Sequence, residues 1–229
     1  MENIPPYISI FFGLIILFTV FLFYKATNNS KIFLFLVLGW LIIQSIVSMN
    51  CFYTKTDTNP PGFLLLVAPP LIMIAVLFSI HRGRRFLDSL NIQALTILHV
   101  IRIPVELMIF ILFLLKAVPH LMTFEGRNFD ILSGLSAPLV YYFAFVKRQM
   151  NKRFLLTWNF ICLALLINIV ANAVLSAPFS FQKFAFDQPN IAILYFPFVF
   201  LPGCIVPLVL LSHLASIRQL IFVMKKVDK

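Results

Sequence analysis

The chain has 229 residues, 61% of them hydrophobic and 11% charged, with a formal net charge of +10. An ordinary soluble domain carries about 25% charged residues and roughly half apolar ones, so a water-soluble fold cannot hide this much apolar surface. Cys51, Cys162 and Cys204 have no paired spacing, which argues against a disulfide framework or a zinc knuckle.

An uncharged apolar run of about 18 or more residues spans a hydrocarbon core roughly 30 Å thick. Such runs, separated by turn-rich breaks, predict an all-α, polytopic, seven-transmembrane helix bundle that forms one membrane domain over residues 1–229. The predicted spans lie near 7–25, 32–50, 62–80, 92–117, 131–146, 154–176 and 191–216. The breaks hold Asn28-Asn29-Ser30, Thr58-Asn59-Pro60-Pro61, Arg82-Gly83-Arg84-Arg85, Asn151-Lys152-Arg153 and Asp187-Gln188-Pro189-Asn190, residue types that favour non-helical backbone.

The first span carries Glu2 rather than a basic cluster on its flank and lacks a small-residue cleavage site, so it is expected to be a retained helix and not a secretory signal. The second holds Gln44 and Ser48, and the third Pro69-Pro70.

The fourth span is the most informative. His99, Arg102 and Glu106 are three and four residues apart, and at roughly 100° per residue they fall within about 60° of one helical face. Ionisable groups at membrane depth cost on the order of 2.5 to 3.5 kcal/mol even on lenient scales, so they face a bundle interior, a cavity or each other. The spacing of four allows Arg102 and Glu106 to pair directly, as a structural ion pair or as part of a functional site. Pro104 between them lacks an amide hydrogen and leaves a carbonyl near Val100 without its helical partner.

A polar connection follows, with Glu125, Arg127, Asn128 and Asp130 leading into the small-residue run Ser133-Gly134-Leu135-Ser136-Ala137, which lets neighbouring backbones approach closely. Asp130 is expected to cap the fifth helix; the alternative is that the acidic and basic groups of this segment fold inward over a cavity at Glu106. On the sixth span Asn168 and Asn172 share a face, and Asn159 lies deeper. Interhelical amide bonds are their ordinary role, and a polar lining is the sharper one. The seventh span carries Pro197, Pro202 and Pro207.

Direction follows from the basic residues. Thirteen of the 18 Lys and Arg residues fall in the first, third and fifth loops and the tail, among them Lys225, Lys226 and Lys229. Four fall on the other side and Arg102 lies within a span. Short loops rich in Lys and Arg stay cytoplasmic, so the N-terminus is expected outside and the C-terminus inside, in the plasma (inner) membrane of a bacterium. The expected partners are the lipid bilayer, anionic lipid headgroups at the cytoplasmic face and an unknown small molecule. Nucleic acid is not expected, because the positive charge sits in short loops beside membrane helices.

Several chemistries lack their residues. The last span has no lysine for a retinal Schiff base, and no phosphate-cradling glycine loop or nucleophile elbow is present. No metal or cofactor is expected; a b-type haem held by two of His81, His99 and His213 is the weaker alternative. The leading expectation is a small secondary transporter or solute-binding carrier. His99, Arg102 and Glu106 form its substrate or proton site, Glu125, Arg127, Asn128 and Asp130 its outer entrance, and Asn168 and Asn172 its polar lining. A membrane-embedded enzyme acting on a lipid or isoprenoid, with His99 or Glu106 as base, and a seven-helix receptor or assembly subunit are the alternatives.

Overall fold

Apolar stretches of chain become helices when water is absent, because every backbone N–H and C=O must then be satisfied within the segment. In the computed structural model of the chain, residues 4–58 and 60–227 are described, with side chains to residue 224; Glu2, Asn59, the side chains of Lys225 and Lys226, and Lys229 lie outside the described residues. Helix is the only regular structure among the described residues, which contain no strand.

Helix α1 (Pro6–Ala26) opens with a proline in its first turn, where no amide hydrogen is required. Helix α2 (Lys31–Met49) starts at Ser30, whose hydroxyl accepts from the Phe33 amide. Past the end of α2 the Tyr53 hydroxyl donates to Gln44, and burial pushes the Tyr53 phenol above its ordinary value.

Helix α3 (Leu64–Ser79) meets α4 (His81–Ser89) at 96°. Gly83 makes this corner possible: a Cβ there would sit 2.4 Å from the Leu77 carbonyl oxygen. The Arg-rich third loop, expected to be a turn, is therefore largely a helix. Gly83 and Leu87 face inward while Arg82, Arg84 and Arg85 are exposed. Arg218 donates from Nε and NH2 to the two oxygens of Asp88 at 2.8 and 2.9 Å, tying α4 to the last helix.

The fourth segment is continuous but not uniform. It runs through α5 (Ile92–Leu98), a 3₁₀ turn at His99–Ile101 and α6 (Arg102–Leu114). The tightened turn lies immediately ahead of Pro104, where the regular ladder cannot be completed. Helix α7 (Ile131–Tyr141) widens into a π-helical turn at Tyr142–Val146. Helix α8 (Lys152–Leu175) is capped by the Asn151 side chain, and α9 (Val206–Val227) follows a second π-helical turn at Leu201–Ile205. Pro207 frees the Gly203 carbonyl four residues earlier, and the Trp40 indole of α2 donates to it at 2.8 Å.

Five stretches are long and apolar enough to cross a membrane: Pro6–Ala26, Lys31–Met49, Ile92–Leu114, Lys152–Leu175 and Leu201–Met224. The bent pair α3 and α4 makes up to a sixth, while Ile131–Val146 is apolar but shorter than a full span. The last of these apolar stretches begins at Leu201 rather than near Ile191. Residues 191–200 instead close over the end of α6, where the Ile191 and Ala192 amides both donate to the Ala117 carbonyl at 3.1 and 3.0 Å. This shift carries His213 from an expected helix end to mid-span.

The surface is apolar to a degree that water would not tolerate. Ile10, Leu14, Leu17 and Phe21 on α1, and Ile32, Phe35, Ile42 and Ile46 on α2, all face outward. The described polar side chains at the centre, among them His99, Arg102, Glu106, Asn159 and His213, are buried. Contiguous exposed apolar surface of this extent marks contact with lipid or with another apolar surface. Helix α9 is the most buried of the five long stretches and α2 the least, so α9 forms the axis on which α4, α5 and α8 assemble.

Candidate functional site

Gly134 explains how the polar residues meet. A Cβ on Gly134 would lie 2.9 Å from Ile103 Cγ1 and 3.0 Å from the Ile103 amide nitrogen, so α7 rests directly on the start of α6. That approach delivers Asp130, at the head of α7, to Arg102. Arg102 NH1 donates to Asp130 Oδ1 at 2.6 Å and to the Cys162 carbonyl of α8 at 3.2 Å. Asp130 holds the N-cap position of α7 with helical backbone angles and no capping bond from its side chain. The expected cap is thus replaced by an inward carboxylate, which still lies at the positive end of the helix dipole.

The Arg102–Glu106 pair that the spacing allows is not formed; the guanidinium is taken by Asp130. Residues four apart on a helix point the same way, but a long Arg chain reaches a carboxylate on another element when that element is packed close enough. Glu106 is held by Asn128, whose amide nitrogen donates to Glu106 Oε2 and, at 2.9 Å, to the Met122 carbonyl. The Asn128 side-chain oxygen accepts from the Asp130 amide at 3.0 Å. One asparagine thereby sets the positions of both carboxylates.

The other end of the guanidinium faces α9. Arg102 NH2 lies 2.8 Å from His213 Nε2, and His213 Nδ1 lies 3.0 Å from Asn159 Oδ1. Arginine has no acceptor, so His213 Nε2 accepts and the proton of the neutral ring sits on Nδ1, donating to Asn159. The Asn159 amide in turn donates to the Leu155 carbonyl at 2.9 Å. Donor and acceptor directions agree along the whole chain from Arg102 to Leu155.

His99 is also buried, but it takes no part in the Arg102–Asp130 pair. Its ring stacks on that of His213 with centroids 3.9 Å apart and 11° between planes, and it meets Trp158 edge-on at 5.6 Å. Two rings packed face to face leave no room for a haem iron between their nitrogens, so His99 and His213 do not form an axial ligand pair. His81 lies on α4, exposed, and the described residues contain no group of three His, Cys, Asp or Glu side chains placed to hold a metal ion.

A cavity of about 410 Å³ adjoins this network, bounded by α3, α6, α8 and the start of α9. Arg102, Glu106 and Asp130 are its charged wall and nearly all the rest is aliphatic or aromatic. Of the three residues expected on one face, Arg102 and Glu106 reach the cavity, while His99 does not. The outer segment divides: Asn128 and Asp130 are buried, but Glu125 and Arg127 are exposed. Asn168 is exposed and donates to the Arg127 carbonyl at 2.8 Å, and Asn172 donates to Asn168 at 3.3 Å. These two amides pin the outer segment to α8 and do not line the cavity.

Sequence reasoning passed over the site roles of His213 and Asn159. His213 appeared to end a helix, and Asn159 lacked a partner at helical spacing; their pairing spans 54 residues of chain and has no local signature. The buried Asp130 was visible only as an alternative to a cap.

No curated protein and no solved structure matches the chain. A family described as a domain of unknown function (DUF8737) matches residues 61–221, a range that leaves out α1 and α2 and contains every residue of the polar network. The match covers more than half of the chain, which therefore belongs to the DUF8737 family.

Proposed function

We propose that this chain is a multi-pass membrane protein that crosses the bilayer seven times, with its N-terminus outside, and works as a small proton-linked carrier whose binding site is the cavity beside Arg102, Glu106 and Asp130. The five long apolar stretches support the membrane reading, with α3 and Ile131–Val146 as the two shorter crossings. The basic residues support the direction, since Arg82, Arg84 and Arg85 are exposed on α4, where anionic headgroups of the inner leaflet are their natural counterions.

One observation carries the functional reading: the cavity wall holds two carboxylates and one guanidinium, and Asp130 takes the guanidinium. Among the described residues Glu106 is left with an amide donor and no ion-pair partner. A carboxylate at membrane depth without a countercharge takes up a proton or a positively charged ligand, and a group that alternates between the two couples a solute to a proton gradient. Proteoliposomes loaded with a pH-sensitive dye, given an imposed pH gradient and a panel of organic cations, anions and neutral amphiphiles, test this. Glu106→Gln is expected to lower solute-driven proton flux at least about tenfold while eluting and unfolding like the unaltered protein. Unchanged flux in a folded Gln variant refutes the carrier.

The apolar lining favours one other reading, an enzyme acting on a lipid or isoprenoid. His99 lies off the cavity, so Glu106 would be its base, and mass spectrometry would find a chemically altered lipid after incubation.

A further inference from the structure

The cavity has a side opening. Most of its lining is buried, but Leu71 on α3 and Ile167, Ala171 and Val174 on α8 are exposed. Ile167, Ala171 and Val174 follow each other at intervals of four and three, so they form one stripe along α8. Leu71 stands opposite, directly after Pro69-Pro70, and α6 and α9 make the rear wall. The mouth therefore opens between two membrane helices onto the same outward apolar surface that α1 and α2 present, and it carries no polar side chain. A water-soluble solute has no reason to approach through such a mouth, whereas a molecule dissolved in the bilayer meets it directly.

What stands at the inner end selects the headgroup. Arg102 is committed to Asp130, the Cys162 carbonyl and His213. The charged groups facing Glu106 are Arg102 on its own helix and Asp130 from α7; behind them lie His213 on α9, His99 on the 3₁₀ turn and the Cys162 thiol on α8. With both carboxylates ionised the wall bears one more negative than positive charge, so an anionic head is repelled and a cation balances it. A volume of about 410 Å³ lies at the lower end of the usual range for small-ligand sites and suits one chain or a compact ring system rather than a two-chain lipid.

We propose that the ligand is a lipophilic cation, an amphiphile with a protonated amine head and a single apolar body, which is admitted from the bilayer between α3 and α8 and takes the place of a proton on Glu106. This rests on the carrier reading for its movement but not for its binding. Binding to protonated Glu106 releases one proton: the carboxyl O–H breaks, the proton leaves to solvent, and the ammonium pairs with the carboxylate, so charge is conserved.

The test uses the full chain in nanodiscs with radiolabelled dodecylamine, corrected for binding to empty discs. Saturable binding is expected, displaced by unlabelled dodecylamine but not by dodecanol or dodecanoate, and tightening at least about tenfold from about pH 5 to about pH 8 as the competing proton leaves. Glu106→Gln is expected to weaken it by a similar factor, and Ile167→Trp, at the exposed mouth, to slow association. Absence of saturable amine binding, tighter binding of dodecanoate, or an affinity flat with pH in the unaltered protein overturns the cation assignment, the last deciding even if Glu106→Gln fails to fold. Unchanged association in both Leu71→Trp and Ile167→Trp overturns side access. Saturable amine binding that an imposed pH gradient does not convert into flux removes the carrier and leaves the site. Gradient-driven flux of another solute, lost in Glu106→Gln, without amine binding does the reverse.

Discussion

Arg102 shows how one side chain organises the interior of a helix bundle. Its guanidinium bridges α7 through Asp130, α8 through the Cys162 carbonyl and α9 through His213, so three helices share one fixed charge. Removing one partner of a buried pair strands the other, at a cost of about 3 to 5 kcal/mol, whereas replacing both with apolar groups is often close to neutral. Arg102→Met is therefore expected to lower stability by about that amount, and the double variant Arg102→Met with Asp130→Leu to regain much of it. Thermal unfolding in detergent measures both; a double variant as unstable as the sum of the singles would show that the pair is not the source of the loss. The two histidines differ in the same way. His213 has a partner on each nitrogen, while neither ring nitrogen of His99 has one among the described residues, so His99 contributes by ring packing.

At the level of elements, glycine and proline decide where helices touch. Gly134 lets α7 seat on Arg102 and Ile103, and a methyl group there meets both the Ile103 side chain and its amide nitrogen at or below 3.0 Å. Backbone cannot give as a side-chain tip can, so Gly134→Ala is expected to push α7 outward and cost about 1 to 3 kcal/mol. Because α7 carries Asp130, the same shift loosens the Arg102 pair, and the expected signature is coupling between Gly134→Ala and Asp130→Asn in a double-mutant cycle. Additive losses would show that helix position and ion pair are independent. Prolines act by release: Pro207 frees the Gly203 carbonyl for Trp40, and Pro104 follows the 3₁₀ turn that swings His99 toward α9.

For the whole molecule, the seven-span reading with an external N-terminus makes a simple prediction. Cys51 is exposed in the connection after α2, while Cys162 and Cys204 are buried, so a membrane-impermeant maleimide is expected to label intact cells or right-side-out vesicles once per chain, and Cys51→Ser to abolish it. Labelling only after the membrane is opened would invert the direction. Composition and run length by themselves determined that the chain is helical and apolar outside, because a continuous uncharged stretch has one way to satisfy its backbone in lipid. That Arg102 and Glu106 must be buried was equally legible, since charge facing an apolar surround is costly wherever it falls. Partners were not legible. Spacing along one helix favoured Glu106 for Arg102, but Asp130, 28 residues away, is the partner because Gly134 permits a backbone approach that no local pattern records. The same holds for His213, whose depth depended on where α9 begins, a matter settled by residues 191–200 folding onto the Ala117 carbonyl. Local sequence sets which groups must be buried; only the packing of helices against one another decides which of them meet, because those distances are fixed across space and not along the chain.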